Sequence, residues 1–212
     1  DEIPGSALPG AGGTFRFHEE PVTEGYPAVP MEVVRVHDFL LMRHPVTCRE
    51  YLEFLNDLHR ADPAAAALRV PRAGEASDPF WPLTAEGYAV PDEGWLKRTG
   101  ASPRKHRLPS TLADWHADWP VMAISWGDAL AYARWRSLRE GRLYTLPLEA
   151  QWELAARGFD GRNHPWGNGW HDQLCNFRDA FPGATKPAPI QDFAFDESPF
   201  GGRGMAGNSG DW

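Results

Sequence analysis

The sequence predicts a mixed α+β fold with much irregular chain, and three observations carry that expectation. Among 212 residues, Gly 21 and Pro 20 are raised, and Trp 10 is high. That composition suits turns and loops pinned by large aromatic groups rather than an all-helical bundle. Residues 32–42, EVVRVHDFLLM, alternate partly between apolar and polar side chains, as a strand does. Tyr51, Phe54, Leu55 and Leu58 fall at i, i+3, i+4 and i+7, which is one face of a helix.

The elements follow in chain order. Residues 1–9 read as a polar linker or leader, with the globular domain over 10–212. Thr14 to Phe17 is a short strand, and the strand over 32–42 breaks near Asp38. Thr47 and Glu50 have capping-box spacing and start a helix over 48–59. Residues 60–119 are irregular, with Trp81, Trp95, Trp115 and Trp119 placed to anchor loops. Ser125 and Asp128 cap a second helix over 126–139 that ends at Gly141. Leu130, Ala133 and Trp126 are expected on its inner face. A third helix is expected over 148–157 after Pro147, with Leu148, Trp152 and Ala155 inward. His164-Pro165-Trp166-Gly167 reads as a turn, and residues 168–204 as loop.

Composition also narrows the partners. The formal charge is -8, and only Arg104, Lys105, His106 and Arg107 form a basic run. A nucleic-acid surface needs a broader positive field, so none is expected. No stretch reaches the about 20 apolar residues that span a bilayer, and no signal peptide is visible, so the expected location is cytoplasmic. Cys48 and Cys175 lack metal-ligand spacing and read as one disulfide or two separate buried thiols.

Ordered landmarks then run along the chain: Gly12-Gly13-Thr14-Phe15, HPVTCREYLEFLN at 44–56, and WPVMAISWGDALAYARW at 119–135. LYTLPLEAQWELAARG at 143–158, HPWGN at 164–168 and GMAGNSGDW at 204–212 complete them. The set resembles the formylglycine-generating enzyme, or sulfatase-modifying factor, domain family. The resemblance implies an irregular, tryptophan-rich variant of the C-type lectin fold. It covers several activities: copper-dependent oxidases that make formylglycine, carbon–sulfur bond-forming enzymes, kinase-attached domains, and the variable proteins served by diversity-generating retroelements. The wording MRHPVTCREYLEFLN and DESPFGGRGMAGN resembles the last two branches most.

The oxidase's copper-binding cysteines are expected beyond Trp212, and neither Cys48 nor Cys175 corresponds to them. Copper is therefore not expected in this fragment, and no catalytic residue is assigned. The resemblance implies calcium as a structural ion at Asn208, the Gly210 carbonyl and Asp211. A second calcium site would begin at Asn176 and the Phe177 carbonyl. Without calcium these residues would make Asx-type turn bonds. Glu149 and Glu153 read as structural acids, with Arg134, Arg157 and Arg162 as candidate partners. His44 reads as a loop residue. The expected role is a noncatalytic recognition domain for a protein or small-molecule ligand, fused to a kinase in one version. The alternative is the oxidase.

Overall fold

A computed structural model of the chain describes residues 8–10, 13–17, 32–72, 78–91, 115–177 and 187–212. The leader 1–7, Trp95 and the basic run at 104–107 lie outside the described residues. The chain folds into two contact-dense units. One holds Asp1–His44, Pro147–Asn176 and Phe193–Gly207, and the other Pro45–Leu146, Phe177–Asp192 and Asn208–Trp212.

In the first unit, strands β1 (Leu8–Gly10) and β4 (Phe39–Leu41) pair antiparallel, Pro9 facing Leu40. β2 (Gly13–Phe17) and β3 (Glu32–Val36) do the same, Phe15 facing Val34. The expected strand over 32–42 does break at Asp38, and its two halves join different partners. Leu8 and Pro9, at the end of the expected leader, pair with Leu41 and Leu40 of β4. Helix α4 (Glu149–Arg157) packs against β2 and β3. Its Leu154 joins Val36 in one core, and Ala155 and Ala156 join Met205 in another.

Leu148, expected inward, is 69% exposed. It is the residue before the first turn, where its amide donates to Gln151 Oε1 at 2.8 Å. The 164–167 turn is closed by paired backbone bonds between His164 and Gly167 at 3.0 Å.

The second unit is built on α1 (Cys48–Ala61) and α3 (Trp126–Glu140), with the short α2 (Pro63–Leu68) and the β5–β6 hairpin (Leu83–Thr84, Gly87–Tyr88) beside α1. Both expected capping boxes are present. Glu50 Oε2 accepts from the Thr47 amide at 2.9 Å, and Asp128 Oδ2 from the Ser125 amide at 2.9 Å. The remaining carboxylate oxygens reach across: Arg136 donates to Glu50 Oε1 at 3.3 Å, and Arg69 to Asp128 Oδ1 at 2.9 Å. α3 stops at Gly141, which has φ 66 and ψ 24, a left-handed geometry glycine adopts at little cost.

The core of this unit gathers Tyr51, Phe54, Leu55, Trp81, Trp115, Trp119 and Tyr132. Trp81 is 1% exposed and meets Trp115 edge-on at 5.8 Å, so these tryptophans do anchor the irregular chain. α3 turns Ala129, Tyr132, Ala133 and Arg136 inward. Trp126, expected inward, is 57% exposed because the first helical residue points away from that face. No helix among the described residues is long and apolar enough to cross a membrane.

Candidate functional site

The C-terminal segment is held by backbone bonds together with side chains that bond to backbone and to each other. In the first unit, Asp196 is buried; its Oδ2 accepts from the Ala206 amide at 3.2 Å and its carbonyl from Gly204 at 3.2 Å. Ser198 exchanges bonds with Gly202: its amide donates to the Gly202 carbonyl at 2.8 Å, and its Oγ accepts from the Gly202 amide at 3.0 Å. The Arg203 amide donates to the Arg43 carbonyl at 2.8 Å. Glu197 Oε2 accepts from Arg203 Nε at 2.6 Å and from Arg43 Nη2 at 3.2 Å. These two guanidiniums, Arg203 first, hold the Glu197 carboxyl below its ordinary range. The loop begins at Phe193, a non-glycine residue with φ 55, and presents Phe195 at 70% exposure.

The expected ligand residues divide between the two units. Asn176 belongs to the first, and Phe177, Asn208, Gly210 and Asp211 to the second. The Asn176 backbone lies against Gly207, where an added Cβ would stand 2.4 Å from the Asn176 carbonyl oxygen. Asn208 has φ 72, a conformation asparagine tolerates better than most residues. Its amide clamps Ala188: Oδ1 accepts from the Ala188 amide at 2.7 Å, and Nδ2 donates to the Ala188 carbonyl at 2.9 Å.

Asn208 Oδ1 is already an acceptor for the Ala188 amide, and with the Gly210 carbonyl and the Asp211 carboxylate the expected set names three oxygen groups, against the six to eight that calcium takes. Both Gly210 and Asp211 are exposed. Among the described residues, no group of three or more His, Cys, Asp or Glu side chains is placed to share a metal ion.

The cysteines are both free and buried. Burial pushes the Cys48 thiol up to about 12, and burial together with the Asp196 charge pushes Cys175 up to about 11. The disulfide alternative is thus set aside in favour of two thiols. Glu153 pairs with Arg157 at 2.6 Å, a structural duty as expected, whereas Arg162 pairs with Asp160.

Sequence reasoning missed Asp196, Glu197, Arg203 and Arg43 as a group. Arg43 lies 154 positions from Glu197, so no local spacing announces the pair.

The fold defines the class first: an α+β chain similar to, among other solved structures, PvdO from Pseudomonas aeruginosa. The two share a TM-score of 0.58 at 17% identity, over 97% of this chain and 72% of that one. The Sulfatase-modifying factor enzyme 1-like domain matches residues 7–212, and the chain belongs to that family. It is 32% identical to the formylglycine-generating enzyme of Thermomonospora curvata, over 97% of this chain and 69% of that protein. The inactive C-alpha-formylglycine-generating enzyme 2 of Mus musculus is 27% identical, over 86% of this chain and 60% of the relative. The serine/threonine-protein kinase pkn1 of Chlamydia pneumoniae is 26% identical, over 87% of this chain and 24% of the kinase.

Proposed function

We propose that this domain is a noncatalytic ligand-recognition module of the family. The observation that carries the reading is the loop over 193–206. One oxygen of its buried carboxylate and its buried hydroxyl accept from backbone amides, while an aromatic side chain stands out at Phe195. A loop already fixed before contact loses less entropy on binding. The family includes relatives named inactive and a relative named a kinase, which supports a recognition role and a kinase-linked form of it. A retroelement-diversified variable protein is the other form within this reading, resting on the wording of residues 196–208.

Hydrogen exchange tests the loop. The amides of Gly202, Gly204 and Ala206 are expected to be protected as strongly as those of α4. Exchange at the rate of open chain would remove the ground for the reading.

Identity to a formylglycine-generating enzyme favours a second reading, the copper-dependent oxidase. The two thiols in this chain are poorly suited to it, because burial holds each protonated and a soft copper site draws on paired thiolates. Incubation with copper, oxygen and a cysteine peptide of the sulfatase type is expected to yield no aldehyde. Aldehyde formation by this chain would establish the oxidase instead.

Calcium belongs to the recognition reading as a structural ion at Asn208, Gly210 and Asp211, with water completing the shell, and at Asn176 and Phe177. Asp211→Ala is expected to lower both stability and the calcium response in calorimetry. Identical transitions in calcium and in chelator would dismiss the ion.

A further inference from the structure

We propose that Arg43 and Arg203 form a binding site for a small oxyanion, a carboxylate or a phosphate, with Glu197 as its built-in competitor. The site stands on its own geometry and holds whether or not the loop's role in recognition survives its test.

Stoichiometry is the first ground. Two guanidiniums share one carboxylate, and both donate to the same oxygen, Glu197 Oε2, at 2.6 Å and 3.2 Å. The cluster therefore carries a net positive charge within a chain of formal charge -8. The opposite arrangement occurs at Arg136, where one guanidinium serves two carboxylates, Glu50 and Glu140. That cluster has no demand for a further acceptor, whereas the Arg43–Glu197–Arg203 cluster does.

Donor count is the second ground. Each guanidinium offers five N–H donors in a planar fork suited to carboxylate and phosphate. Glu197 occupies one donor nitrogen on each, Nη2 of Arg43 and Nε of Arg203. Arg43 Nε is buried and has no hydrogen-bond partner. A buried donor without an acceptor is costly, and an incoming anion would draw the Arg43 fork into use.

Placement is the third ground. The side chains of Arg43 and Arg203 are 31% and 20% exposed, enough desolvation to strengthen an ion pair while leaving solvent access. The backbone bond from Arg203 to the Arg43 carbonyl keeps the two forks together when no anion is present.

The test titrates the folded chain with inorganic phosphate and separately with acetate, each against chloride at matched ionic strength, by calorimetry and thermal shift. Saturable binding beyond chloride is expected. Arg203→Gln is expected to weaken it about tenfold, the loss of one charge-assisted hydrogen bond. Glu197→Gln removes the competing carboxylate but keeps both guanidiniums, so it is expected to bind the anion more tightly and to regain stability on adding it. This second variant decides the matter even where Arg203→Gln is too unstable to titrate. A response to phosphate alone assigns a phosphate ligand, and a response to acetate assigns a carboxylate ligand. Binding no different from chloride, or no gain in Glu197→Gln, would overturn the proposal.

Discussion

Gly207→Ala is the sharpest perturbation the fold offers. A Cβ at this position would stand 2.4 Å from the Asn176 carbonyl oxygen, 3.0 Å from its carbon and 3.3 Å from its nitrogen. Ordinary contact begins at 3.4 Å, so one backbone would have to withdraw by about 1 Å. A flexible side chain could swing aside, but all three obstructing atoms are main chain. The expected loss is therefore at the upper end of the overpacking range, about 3 kcal/mol. For a chain of this size that corresponds to a drop in Tm of about 6–12 °C. Gly210 is the internal control three residues on: its added Cβ meets nothing within 4 Å. Both variants are compared by thermal melting and by urea titration. If Gly207→Ala melts with Gly210→Ala, the close approach of the two backbones is wrong.

Further expectations test other parts of the fold. Ala123 sits at φ 58, where a Cβ is strained; Ala123→Gly is expected to stabilise by about 0.5 kcal/mol, the relief of strain less the added chain entropy. A destabilised glycine variant in urea titration would refute that geometry. Arg136→Met removes the arginine from Glu50 and Glu140, which keep their bonds to Thr47 and Tyr144, and is expected to cost about 2 kcal/mol, less than a fully buried broken pair because both acids keep partial exposure. No change in the urea midpoint would show that the pairs contribute nothing. Cys48 and Cys175 are expected to resist alkylation at pH 8 and to react on unfolding, read by mass; rapid labelling of the native chain would contradict their burial.

Acid stability follows from three carboxyls held below their ordinary values: Glu140 by Tyr144 and Arg136, Glu197 by Arg203 and Arg43, and Asp160, drawn down to about 2, by Arg162. Folded values below unfolded ones mean the contribution is whole above about pH 4.5 and is lost as pH falls toward about 2. A flat pH–stability curve across that window would count against these pairs.

What the sequence made readable was local. Thr47 with Glu50 and Ser125 with Asp128 satisfy amides within one turn, so their spacing alone locates both helix starts. The break at Asp38 and the stop at Gly141 are likewise short-range. Facing direction was less legible. Trp126 looks like a core residue by type, yet Tyr132 and Arg136, further along the same helix, take that position because α1 supplies Phe54 and Glu50 to receive them. Asp62 with Pro63 is a helix start that went unread, although Asp62 Oδ1 accepts from the Ala64 and Ala65 amides at 3.0 Å. Among the candidate site residues, position could be named but partner could not. The clamp of Asn208 on Ala188 and the ties of Glu197 to Arg43 span 20 and 154 residues, distances over which no periodicity carries information.

The capping carboxylates have a kinetic consequence. Glu50 and Asp128 each commit one oxygen to starting their own helix and the other to an arginine elsewhere in the unit. In an isolated peptide the first oxygen could work alone, and each helix would flicker. In the whole chain, fraying α1 at its first turn loosens the Arg136 contact, and fraying α3 loosens the Arg69 contact. Nucleation and docking thus become a single event, so during refolding the first-turn amides of each helix are expected to gain protection together with its own contact, and in the native state to exchange only through its opening: for α1 the one that separates it from α3, for α3 the one that releases Arg69 at the end of α2.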